Sequence, residues 1–205
     1  MQTARTNGED NFQFGIEAGV TRFSDDMGTS EGPSVNLAAR YGVSDRLDIG
    51  VRWGTLLFEI QSKLMLTSPS EQDIAISLAP SVAVAPSRSI YIGTKIPLLI
   101  GITVGDSELT LAPRISPAFI AGESSKFILA AGGSIGFALR LGDTFWILPE
   151  ISVDIPFIGG VKRVEGGESD FRLVNFDSSI INIGVGVLFG GRPMNEGKMP
   201  PASGE

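Results

Sequence analysis

Along much of this chain every second residue is bulky and apolar, while the residues between are Gly, Ala and Ser with scattered charges. Leu47, Ile49, Val51 and Trp53 alternate with Asp48, Gly50, Arg52 and Gly54, the period of two by which a strand presents two different faces. Keeping the apolar parity constant within a segment, and requiring turn chemistry between segments, predicts ten strands. They cover residues 12–23, 34–43, 46–54, 58–67, 73–85, 90–98, 108–121, 127–141, 144–157 and 179–189. Polar loops are expected over 24–32 and 159–170, tight turns at Ser44-Asp45 and Gly142-Asp143, and a less regular join over 99–106.

Alternation alone fits a soluble barrel or sandwich, whose apolar face points inward and whose other face meets water. The second face separates the two readings. A water-facing surface is rich in Lys, Glu and Thr, whereas small residues suit a crowded lumen. The expectation is therefore all-β: a single closed antiparallel up-and-down transmembrane β-barrel of about ten strands, eight or twelve if 99–106 is read otherwise. Residues 1–11 form an N-terminal extension, 12–189 the barrel and 190–205 a flexible Pro- and Gly-containing tail. The longer loops follow odd strands and the tight turns follow even ones, which puts both termini on the periplasmic side. Aromatic girdles are a second mark of such barrels. Trp53, Phe58, Phe119, Phe127 and Phe157 map to an outer rim, and Phe12, Tyr41, Phe145, Trp146 and Phe189 to an inner one, with Phe137 in mid-strand.

If the apolar parity faces lipid, the opposite parity carries Glu17, Arg40, Asp48, Arg52, Glu59, Lys63, Lys95, Arg114, Arg140, Glu150 and Asp154 into the lumen. One hairpin allows a sharper expectation. With Trp53 opposite Phe58, Arg52 faces Glu59 and Asp48 faces Lys63, two opposite-charge cross-strand pairs.

Composition narrows the chemistry. No run of about 20 apolar residues exists to cross a bilayer as a helix, whereas a strand needs only about 9 to 11. The net charge of -7 gives no basic face for nucleic acid. The chain has no Cys and no His, which removes imidazole and thiol catalysis and the usual zinc or copper ligands. No catalytic residue, cofactor or metal is assigned, and the expectation is that the chain is not an enzyme. Asp25, Asp26 and Glu31 read as a solvated acidic loop, with Ca²⁺ or lipopolysaccharide bridging as the competing use. Lys162, Arg163 and Glu165 read likewise as a solvated loop. The first ten residues hold no apolar signal core, so an exported protein is expected to be in mature form here.

At Tyr41-Gly42-Val43-Ser44-Asp45-Arg46-Leu47-Asp48-Ile49-Gly50 the sequence resembles the strand-turn-strand unit of bacterial outer-membrane β-barrels, including the MetA-pathway phenol-degradation family. The resemblance implies an outer-membrane barrel of transporter or porin type. The strand over 182–189, ending in Phe189, also resembles the signal read by the barrel-assembly machinery, although this chain continues to Glu205 where such proteins usually stop. The functional expectation is a narrow passive channel for small solutes, apolar ones included, surrounded by outer-membrane lipids and lipopolysaccharide. A non-conducting barrel acting through its external loops is the alternative, and a soluble ligand-binding barrel the third reading.

Overall fold

The computed structural model describes residues 2–25, 28–54, 57–68, 73–85, 90–121, 124–165, 168–174 and 178–191, giving only the backbone path for 25, 124, 161–165 and 168–174. The described residues form strands β1 (Phe12–Asp25), β2 (Gly28–Ser44), β3 (Leu47–Gly54), β4 (Phe58–Met65), β5 (Ile74–Leu78) and β6 (Ser81–Ala85). The remainder are β7 (Ile90–Val104), β8 (Ser107–Ala121), β9 (Ser124–Arg140), β10 (Phe145–Glu165), β11 (Glu168–Val174) and β12 (Ser179–Gly190). Each strand pairs antiparallel with its neighbours, β12 lies between β10 and β1, and β9 pairs with β10, so the sheet closes on itself. Closure leaves the barrel wall itself without an edge.

β5 and β6 share one position between β4 and β7, and β11 pairs with β10 beyond the barrel wall, so the twelve segments build a ten-stranded barrel with one extra strand. The expected single strand over 73–85 is split at Ala79-Pro80, because Pro80 has no N–H to give to the ladder. The break keeps parity: Ile74 and Val82 both face outward, Ala75 and Ser81 inward. The wall is held across it by Ser62 N–H to the Pro80 carbonyl at 3.0 Å and Ala79 N–H to the Pro97 carbonyl at 3.1 Å.

Three loop expectations are corrected. The join over 99–106 is strand as far as Val104, turning at Gly105-Asp106. Its outward parity continues through Ile102 and Val104; the alternation is hidden in the sequence because inward Leu99 packs in an apolar patch with Ala4, Ala79 and Ala112. The polar loop over 24–32 is mostly strand, since β1 and β2 stay paired out to Asp25 and Gly28. Apolar side chains are needed only where a strand meets an apolar medium, while backbone pairing continues beyond it. There the pairing is supported by polar partners, as in Arg22 and Glu31 at 3.6 Å. Residues 159–165 and 168–170 are paired strand for the same reason, with β10 continuing to Glu165 and pairing with β11. The side chains of Asp25, Lys162, Arg163 and Glu165, and all of Asp26 and the tail 192–205, lie outside the described residues.

Burial is inverted relative to a water-soluble domain, where charged residues are almost never fully buried unless paired. Glu17, Arg40, Asp48, Glu59, Gln61, Lys63 and Glu108 are all buried, while Ile49, Val51, Val153, Ile183 and Val185 are exposed, Ile183 at 59 %. The large apolar side chains therefore form a band on the outside, and the polar parity fills the inside.

Candidate functional site

The lumen has two halves. At one end, here the near end, lie Phe12, Gly190 and the tight turns Asp45-Arg46 and Gly105-Asp106; at the far end lie the β1–β2, β3–β4 and β10–β11 hairpins. The ladder between β3 and β4 has the expected register: Trp53 opposite Phe58, Arg52 opposite Glu59 and Asp48 opposite Lys63. The cross-strand pairs are made. Arg52 reaches both Glu59 and Glu17, the latter at 3.3 Å, and Lys63 Nζ lies 3.1 Å from Asp48. Arg40 sits 3.9 Å from Glu17 and donates to Gln13 and Gln61 at 3.2 Å each. On β8 and β10, either side of Gly132, Arg114 grips Asp154 with two hydrogen bonds of 2.8 and 2.5 Å, the fork geometry that makes Arg–carboxylate pairs strong.

Lys95 and Glu150 line a polar cavity of about 240 Å³ in the middle of the barrel, together with Asn36, Ser152 and Asn182. Its wall continues toward the far end through residues that are only half-buried, among them Thr21, Ser34 and Arg114. Arg140 is placed apart from this group. It binds the Gly142 carbonyl at 2.9 Å and the Asp143 side chain at 3.3 Å, and its guanidinium lies 5.6 Å from the centre of the Trp146 ring.

The near half is filled, from two sources. One is an apolar patch of Ala138, Trp146, Leu148 and Leu188 on the inward faces of β9, β10 and β12. This corrects the placement of Trp146 on the membrane rim: it is 6 % exposed and points inward, because strand alternation sends it opposite to Phe145. Phe145 stays on the outer side, its ring 5.2 Å from that of Phe189. Phe12, Tyr41 and Phe189 are exposed at the near end, and Trp53, Phe58, Phe119, Phe127 and Phe157 toward the far end. Two far-end pairs, Trp53 with Phe58 and Phe119 with Phe127, face each other across strands. Phe157 sits in a bulge between Pro156 and Ile158, so both Phe157 and Ile158 face outward.

The other source is the N-terminal extension. Gly8 and Asp10 adopt positive φ, 78° and 59°, a backbone reversal that Gly makes at no steric cost and Asp tolerates. The reversal returns the chain from Phe12 into the lumen. It is tied to the wall by Asp10 N–H to the Gly42 carbonyl and Gly42 N–H to the Asn11 carbonyl, both 2.9 Å. A Cβ on Gly42 would collide with the Gly8 carbonyl, so this approach requires glycine. Beyond it Asn7 N–H donates to both Asp48 oxygens, and Ala4, fully buried, packs with Met65, Ala75, Ala79, Leu99 and Ala112. Ala79, Leu99 and Ala112 also line the polar cavity, so the extension forms part of its floor.

Two features of this site are absent from the sequence reading. Glu108 is a lumen residue, and its parity with Thr110, Ala112 and Arg114 could have revealed it. The return of residues 2–11 into the barrel has no periodic signal, because a segment bonded by side chains needs no alternation of its own.

No protein-family model matches this chain. No curated protein matches it either. Among solved structures it is similar to Neisserial surface protein A at 14 % identity, covering 87 % of this chain and 96 % of that one with a TM-score of 0.42. It is similar to the outer-membrane protein OprG of Pseudomonas aeruginosa at 13 % identity, covering 90 % and 99 % with a TM-score of 0.41. It is also similar to the outer-membrane protease OmpT of Escherichia coli at 9 % identity, covering 89 % and 96 % with a TM-score of 0.44. All three are bacterial outer-membrane β-barrels. The last corrects the expectation that this chain is not an enzyme: an outer-membrane protease is among the barrels it is similar to, and that expectation is withdrawn.

Proposed function

We propose that this chain is a bacterial outer-membrane β-barrel forming a narrow passage for small polar solutes, with its near end in the periplasm and its long hairpins outside. The observation that carries the reading is the inversion of burial: an apolar outer band around a charged, hydrogen-bonded interior that holds a polar cavity. The band suits acyl chains, the aromatic residues near each end suit the headgroup levels, and lipopolysaccharide would surround the far end. The barrel-assembly machinery would insert the chain, reading β12 up to Phe189. The tight turns Asp45-Arg46 and Gly105-Asp106 at the near end suit the periplasmic side of such barrels. The hairpin resemblance at 41–50 adds a transporter or porin type of the MetA-pathway kind. The cavity lining of Asn36, Lys95, Glu150, Ser152 and Asn182 favours polar solutes over apolar ones, which would leave these groups without hydrogen bonds.

The filled near half favours a second reading, a non-conducting barrel that acts through its far-end hairpins. Single-channel recording in planar bilayers separates them. The folded chain is expected to give discrete, brief openings of small amplitude, since a ten-stranded barrel lumen is far narrower than that of a 16-stranded porin. A barrel that is folded by heat-modifiable migration and silent, both intact and after removal of residues 2–9, would establish the second reading.

A further inference from the structure

The N-terminal extension makes no ladder with any strand, yet the polar groups of its backbone are met one after another by side chains of the barrel wall. Ala4 N–H donates to a Glu108 oxygen at 2.6 Å, and the Ala4 carbonyl accepts from the Ser77 hydroxyl at 2.5 Å. The Lys63 ammonium donates to the carbonyls of Thr3, at 3.4 Å, and of Arg5. Asn7 N–H donates to Asp48 at 3.0 and 3.1 Å. The wall residues come from β3, β4, β5 and β8, and all four are buried.

Contacts of this kind read the main chain and ask little of its sequence. Two positions ask more. The seat of Ala4 is closed by Met65, Ala75 and Leu99, and a Cβ at Gly101 would strike Ala4 itself, so only a small residue fits there. The next position needs a cation. Asp48 has Lys63 as its partner in the wall, but Glu108, 1 % exposed, has its ion pair with Arg5 of the extension, at 3.6 Å. Arg5 also donates to Thr103 at 2.7 Å. With the extension withdrawn, Glu108 would keep the Thr110 hydroxyl, at 2.8 Å, but lose the guanidinium that pairs with it. Glu108 is thus a buried wall carboxylate matched by the residue that enters.

We infer that the near half of the lumen is a binding site for a peptide carrying a small residue followed by a cationic one, that residues 2–11 occupy it in cis, and that their departure opens the passage. The inference rests on the channel reading above. Departure costs hydrogen bonds, the Arg5–Glu108 ion pair and the packing of Ala4 but breaks no strand pairing, and the polar cavity, whose floor Gln2 and the Ala4 patch supply, would then extend toward the near end.

The test compares three full barrels in planar bilayers: the intact chain, a chain lacking residues 2–9, and Arg5→Glu, which leaves every wall residue in place and sets a carboxylate against Glu108. Both variants are expected to raise the open fraction roughly tenfold or more, the scale set by losing one charged hydrogen bond. A synthetic peptide of residues 1–11, added on the near side, is expected to close the shortened barrel, and the same peptide bearing Arg5→Glu is not. Equal opening of all three barrels, with no effect of either peptide, would overturn the inference and leave the channel reading standing. Silence of all three, with heat-modifiable migration showing them folded, would overturn the channel reading, and the gating with it.

Discussion

Replacing Arg52 by Leu is expected to destabilise the folded barrel by about 3–5 kcal/mol, the cost of leaving a buried charge without its partner. Arg52 lies between Glu17 and Glu59, whose side chains are 3 % and 5 % exposed, so its loss removes the cation shared by two carboxylates facing the same space. Arg40 can serve Glu17, at 3.9 Å, but it is already bound to Gln13 and Gln61. The double variant R52L/E59L is therefore expected to regain a large part of the loss, because the remaining carboxylate keeps Arg40. Denaturant unfolding from lipid vesicles measures both. Additive effects of R52L and E59L would show that the two residues do not interact, which is incompatible with the geometry described.

The outer face gives the second large effect. Ile151 lies on β10 midway between the aromatics Phe145 and Phe157, opposite Ile183 on one side and Ile135 on the other, and is 46 % exposed. On a water-soluble protein, a charge at so exposed a position changes stability by no more than about 0.5 kcal/mol. At the level of the bilayer centre, Arg is expected to cost about 2–4 kcal/mol. Ile151→Arg should therefore lower stability in vesicles by the larger amount, while Ser30→Arg, beyond the apolar band on the far-end hairpin, should leave it nearly unchanged. The same small effect for both variants would place the face carrying Ile151 in water.

What the sequence makes legible follows from which physical constraint each residue answers to. The strands and the β3–β4 register can be read because lipid and lumen impose different demands on alternate residues, and because Asp48 and Arg52 find opposite charges only when Trp53 meets Phe58. The same rule fails where only one demand remains. At 24–32 and 159–170 the strands outrun the apolar band, and hydrogen bonding persists without alternation to announce it. At 97–102 the inward residues become apolar because they face Ala4, and the pattern resembles an irregular join. Trp146 reads as a rim aromatic by its nearness to a strand end, but its parity sends it inside. The extension is the least legible part. Thr3, Ala4, Arg5 and Asn7 reach the lumen through backbone groups that every residue has, so no residue type marks them, and the one charge that could, Arg5, has its partner Glu108 about a hundred residues away.

The chain carries its own probe of the central claim, because of its two tryptophans one is exposed on the outer face, Trp53 at 68 %, and the other is enclosed in the lumen, Trp146 at 6 %. Trp53→Phe and Trp146→Phe leave one reporter each for fluorescence in vesicles of lipids brominated along the acyl chain near the headgroup. The account predicts strong quenching of Trp53 and little quenching of Trp146; equal quenching of the two, or quenching of Trp146 alone, would contradict a barrel with its apolar face toward lipid.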